Sequence, residues 1–171
     1  MLDFCAEFSS NRIAALAFII FILILFVAIF APFVAPTNPY DLASVDIMNS
    51  RLSPGTEDFS GNTFWLGTDG AGRDMVSAIF YGLRVSLGVG VFSGLIALTI
   101  GAFFGVSAAF FRGKYETFVM RVVDIQLSFP SILLALIIIA AFGKGVDKTI
   151  IALILVQWAY YARTARASAL V

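Results

Sequence analysis

Histidine is absent from this 171-residue sequence, and no other absence removes as much chemistry. With it go the commonest metal ligand, the Ser-His and Cys-His nucleophile pairs, and the one side chain that ordinarily titrates near neutrality. Hydrolase and metalloenzyme readings lose their usual machinery, and neither catalytic nor metal-binding residues are expected. The single cysteine, Cys5, excludes an internal disulfide and a cysteine-cluster metal site. Charge is scarce too, at 13% of residues, where an ordinary soluble domain carries about 25%. Eleven Lys plus Arg cancel eleven Asp plus Glu, so no basic excess supports nucleic acid as a partner.

The sequence is rich in apolar residues instead. Hydrophobic residues make up 60% of it, 18 of them Phe, and the mean hydropathy is +0.96. That leaves too little polar surface to cover a core in water, so membrane lipid is the expected surrounding. Ile13 to Val34 is a run of 22 residues without a charge, about 33 Å of helix against a hydrocarbon layer of roughly 30 Å. A cleaved signal peptide would have a shorter apolar region of about 7 to 15 residues after a basic start, whereas Asp3, Glu7 and Arg12 precede this one. Further apolar runs cover Val85 to Phe111, Val122 to Phe142 with Asp124 and Pro130 inside it, and the shorter Ile150 to Ala162. Lys148 and Arg163 flank the last, and their long stems can reach opposite headgroup layers. The expected fold class is an all-α integral membrane protein with four transmembrane helices.

Between the first two runs lies a polar segment with six acids, Asp41, Asp46, Glu57, Asp58, Asp69 and Asp74, against Arg51 and Arg73. Four spans put both termini on one side. Arg12, Arg112, Lys114, Arg121, Arg163 and Arg166 then share that side, against Arg51, Arg73, Arg84, Lys144 and Lys148 opposite. The six sit in short flanking segments while three of the five are spread through the acidic loop, which assigns the side of the six to the cytoplasm and the loop to the outside. Within the loop, Leu66 to Asp74 is dense in Gly and charge and precedes an amphipathic stretch through Met75, Val76, Ile79, Phe80 and Leu83. That stretch predicts a short surface helix capped by Thr68 or Asp69. A phosphate-cradling loop would need a Lys-Ser/Thr pair and a preceding strand pattern, and neither is there.

Inside the spans, Ser86, Gly90, Gly94, Gly101 and Gly105 fall within one helical stripe. Small residues let membrane helices approach closely, and here they predict a packing face, unless they only reflect the commonness of Gly in such helices. Asp124, Gln126 and Pro130 place polar groups beside a missing backbone donor, and with Gln157 they are candidates for lining or gating a water-filled path. The alternative for Asp124 is a headgroup-level pair with Arg121, and for Gln157 a hydrogen bond between helices.

These residues resemble a known family. L-G-T-D-x-x-G-R-D-x-x-S at Leu66 to Ser77, continuing as Y-G-x-R-x-S-L-x-V-G at Tyr81 to Gly90, is similar to the membrane permease subunits of bacterial dipeptide and oligopeptide ABC importers. Met120 to Ile125, Pro130, Leu133 to Leu136, and Trp158 with Tyr161-Ala162-Arg163 and Arg166 extend the likeness, which is nearest to the C-type permease. Gly67, Thr68, Asp69, Gly72, Arg73 and Asp74 are its motif residues. Ala78 departs from it, standing where the family often has Arg.

The resemblance implies a type I importer permease fold in the bacterial inner membrane, with a cytoplasmic N-terminus and the loop in the periplasm. It divides the chain into a tail and first helix (1–34), a periplasmic loop with its amphipathic helix (35–84) and the first part of the permease core (85–171). It implies a second permease subunit, two ATPase subunits that hold ATP and magnesium, and a periplasmic peptide-binding protein as partners, with no cofactor on this chain. The family's coupling segment, E-A-A followed by Gly, is not found, and Ala167 to Val171 has no stop signal, so a chain cut short after the fourth span is expected. The residues also leave room for a permease of another small solute such as a nickel complex, or for a tetraspan scaffold. A self-sufficient exporter would need a carboxylate deep in a span.

Overall fold

The computed structural model describes residues 11–41, 45–58 and 61–170, and Cys5 with the rest of the expected N-terminal tail lies outside them. The chain divides into two compact units, Met1–Leu87 and Gly88–Val171.

In the first unit, helix α1 spans Arg12–Val34. Asn11 caps it, its Oδ1 accepting from the N–H groups of Ile13 at 3.1 Å and Ala14 at 3.2 Å, which satisfies donors that have no partner in the first turn. Only Ala28 and Ala31 are buried, and large apolar side chains face outward around the whole circumference. A helix apolar on every side belongs in a bilayer, as expected for the first span.

The polar segment that follows holds a 3₁₀ turn at Ile47–Asn49 and a small antiparallel hairpin, β1 (Thr56–Glu57) with β2 (Thr63–Phe64), in register Thr56 to Phe64 and Glu57 to Thr63. Two-residue strands are too short to show an alternation in sequence. Helix α2 then runs without interruption over Met75–Phe111. The separate surface helix expected before the second span is thus the first part of that same helix. Gly82 and Arg84 do not break it, because an isolated glycine costs a helix only about 1 kcal/mol. Its 37 residues make about 55 Å at 1.5 Å each, well beyond the hydrocarbon thickness.

The second unit takes the rest of α2 and adds α3 (Gly113–Ser128), α4 (Ser131–Phe142) and α5 (Val146–Ala169). Arg112 and Gly113, at φ +49° and +59°, separate α2 from α3. The short flanking segment that holds Arg112, Lys114 and Arg121 is helical from Gly113 onward. The third apolar run is not one straight span, for α3 and α4 meet at 87°. Pro130 is the cause: it disfavours helical backbone in the residue before it, and Phe129 is extended at φ −88°, ψ 138°. Helix α5 packs against both α3 and α4, around a core of Val123, Ala159 and Ala162 flanked by Met120, Leu127 and Trp158.

The architecture is helical and apolar, as the sequence predicts. By length and composition α1 and α2 can each cross a bilayer, and the bent α3–α4 pair makes a third crossing if it is one broken span. Helix α5 continues past both ends of the run Ile150 to Ala162, as expected, yet its polar residues keep it outside that criterion.

Candidate functional site

The Gly- and Asp-rich motif builds the return path of the polar loop. Gly67 has φ +75°, and a Cβ there would overlap the Leu52 carbonyl oxygen; Gly72 has φ +83°, and a Cβ would overlap the Asp46 carbonyl. Both positions combine left-handed backbone with close approach of another strand of chain, so glycine is required twice over. The Thr68 hydroxyl accepts from the Leu52 N–H at 2.8 Å and donates to the Asn49 carbonyl, tying the two sides of the loop together.

Asp69 closes a tight turn: Oδ1 accepts from the N–H groups of Ala71 at 2.8 Å and Arg73 at 3.0 Å, and Oδ2 accepts from Arg73 Nε at 2.9 Å. A bound phosphate would need those N–H groups, and Asp69 already occupies them. Asp74 caps α2 in place of the expected Thr68 or Asp69. Its Oδ2 accepts from the Ser77 N–H at 2.8 Å and the Ser77 hydroxyl at 2.6 Å, and Ser77 Oγ accepts from the Thr37 N–H at 3.0 Å. Asp74 and Ser77 are buried.

The N–H of Arg73, helped by that of Ala71 and by the Arg73 guanidinium, holds the Asp69 carboxyl below its ordinary value of 3.8, against an opposing effect of burial. A carboxyl whose folded pKa is depressed stabilises the fold above its unfolded pKa, and that contribution fades as pH falls through the folded value. Amide exchange at Ala71 and Arg73, corrected for intrinsic rates, should therefore lose protection only below about pH 3.8. In Asp69→Asn that acid dependence should vanish. Protection that falls equally in both proteins would contradict this role for Asp69.

A second polar group joins α3 to α5. Gln126 Nε2 donates to the Leu155 carbonyl, and Gln126 Oε1 accepts from Trp158 Nε1 at 2.8 Å. Asp124 pairs with Arg163 rather than with Arg121, and Glu116 accepts from Arg166 Nε at 2.7 Å. Ascending positions on α3 meet descending positions on α5, so the two helices run antiparallel. Asp124 and Arg163 are each more than half exposed, and a pair so open to its surroundings adds little stability. Pro130 lies one turn beyond Gln126 and turns the chain away. Gln157, half-buried on α5, contributes no hydrogen bond to this group.

The stripe of small residues on α2 is used in part. A Cβ at Gly101 would lie 2.5 Å from the Trp158 carbonyl oxygen and 2.5 Å from Tyr161 Cβ; one at Gly105 would overlap the Ala162 carbonyl. Those two glycines let α2 and α5 touch backbone to backbone. Gly90 and Gly94 have nothing within 4 Å of such a Cβ.

Comparison with known proteins gives the same residues a family. Residues 2–54 match the N-terminal TM domain of oligopeptide transport permease C, and residues 97–171 match the binding-protein-dependent transport system inner membrane component. The chain thus matches both permease domain models, in that order. It is 37% identical over 167 residues to the di/tripeptide transport system permease protein DppC of Pseudomonas aeruginosa, covering 97% of this chain and 54% of that protein. It is 32% identical over 168 residues to the oligopeptide transport system permease protein OppC of Bacillus subtilis, covering 98% and 52%. To the glutathione transport system permease protein GsiD of Pectobacterium atrosepticum it is 30% identical over 169 residues, covering 99% and 54%. The chain spans about half the length of the curated relatives it matches. These relatives are transport components, and the chain shares their membrane character.

Sequence reasoning missed Thr37 and Glu116. Each finds its partner 40 and 50 residues away respectively, and no local pattern announces a pairing at that distance.

Proposed function

We propose that this chain forms part of the path through which di- and oligopeptides enter a bacterial cell across the inner membrane. In this reading the N-terminus is cytoplasmic, and residues 35–84, which hold the polar segment and the first turns of α2, are periplasmic. A second permease completes the path, a periplasmic binding protein delivers peptide, and two cytoplasmic ATPases hold ATP and magnesium. The chain itself binds no nucleotide and catalyses no reaction. Its work is conformational, driven by contacts that differ between the ATPase states. Gln126 and Pro130 lie within about one turn of the break between α3 and α4. With Asp124 on α3 and Gln157 on α5 they are the candidates for lining a path, since a backbone break at membrane depth is tolerated where it is buried in protein or lines a water-filled cavity.

The observation that carries the reading is the match to both permease domain models, in order, on an apolar chain. Affinity purification of the tagged protein from its native membrane tests it. The ATPase subunits, the second permease and no unrelated enzyme are expected to copurify. A well-inserted protein recovered alone, as a self-association of this chain, would overturn the reading in favour of an exporter or scaffold.

A further inference from the structure

We propose that the face of α3 carrying Lys114, Phe118 and Arg121 binds the headgroup phosphate of an anionic phospholipid. Gly113, Lys114, Thr117, Phe118 and Arg121 line one open groove of about 520 Å³, and their spacing of three and four residues sets them on one helical face. Charge complementarity decides the occupant. Both acids of α3 are taken by α5, Glu116 by Arg166 and Asp124 by Arg163. Lys114 and Arg121 have no ion pair among the described residues, and exposed Arg112 adjoins them. The groove is therefore a positive spot on a chain of zero net charge.

Its depth and its apolar neighbours point to a lipid. Arg112 and Lys114 come directly after the uncharged run Val85 to Phe111, which sets them at headgroup level. Phe118 is 68% exposed and Ile125 56% exposed along the same face, a surface suited to an acyl chain below a bound phosphate. Each basic residue close to an anionic lipid surface is worth roughly a fivefold preference.

The proposal rests on placing the chain in a membrane and not on what it transports. A bimane fluorophore at Val122→Cys in a Cys5→Ser background, with the full chain in phosphatidylcholine vesicles, reports on the lipid beside the groove. Doxyl-labelled phosphatidylglycerol is expected to quench it several-fold more than doxyl-labelled phosphatidylcholine at equal mole fraction. Lys114→Gln with Arg121→Gln should bring the two to parity, while Arg84→Gln should leave the preference intact, helix content being checked by circular dichroism in each variant. Equal quenching in the unsubstituted groove would leave this face to a protein partner and overturn the proposal, as would a preference that survives the double substitution. If millimolar inorganic phosphate abolished the preference, the groove would be a free-phosphate site and the lipid assignment would fall. Absence of quenching by either lipid would instead refute the membrane placement on which the proposal rests.

Discussion

Gly105→Leu is expected to separate α2 from α5 and to cost this unit about 3 kcal/mol or more, the upper end of what overpacking does to a tight contact. The added side chain would meet the carbonyl of Ala162, Ala165 Cβ at 2.9 Å and the Arg166 nitrogen at 3.0 Å. Backbone cannot rotate aside as a side chain can, so the helices themselves must move. Gly94→Leu, on the same stripe but with open space around it, should melt at the temperature of the unsubstituted protein in mild detergent. If Gly105→Leu melted there too, the direct contact of the two helices would be refuted.

The second large effect lies in the polar loop. Asp74→Ala should cost about 3 kcal/mol, the sum of a lost helix cap, about 1 kcal/mol, and buried donors left without an acceptor, about 1–3 kcal/mol. Ser77 would lose the acceptor for both its N–H and its hydroxyl, and the hydroxyl that receives Thr37 would be free to turn. Proteolysis at Arg51 at neutral pH measures the opening, and Asp74→Asn, which keeps an acceptor oxygen, should restore much of the resistance. In a double-mutant cycle with Ser77→Ala, the two costs should fall well short of adding, because they remove one network. Full additivity would mean that the two side chains act separately.

The apolar runs were legible because bilayer thickness dictates their length, and α1 follows its run to the residue at Val34. Pro130 was legible as a break, since proline restricts the residue before it whatever the surroundings. Its angle of 87° was not, because packing on α5 settles where the second half goes. The motif from Gly67 to Asp74 was recognisable without its physical purpose. Positive φ at Gly67 and Gly72 becomes necessary only once Leu52 and Asp46 are known to lie against them. Asp124 shows the limit of local reasoning: Arg121 lies within reach along the helix, yet the fold supplies Arg163 from α5. The stripe on α2 was read as one face, and the structure divides it into a packed half at Gly101 and Gly105 and an open half at Gly90 and Gly94.

Uptake of a radiolabelled dipeptide tests the central claim most directly, measured in cells whose gene for this protein is disrupted and again after the intact gene is restored. The disrupted cells should lose energy-dependent dipeptide uptake, and the restored gene should return it, with an excess of unlabelled tripeptide competing. Dipeptide uptake unchanged by the disruption, with loss of nickel or another solute in its place, would contradict the assignment to peptide import.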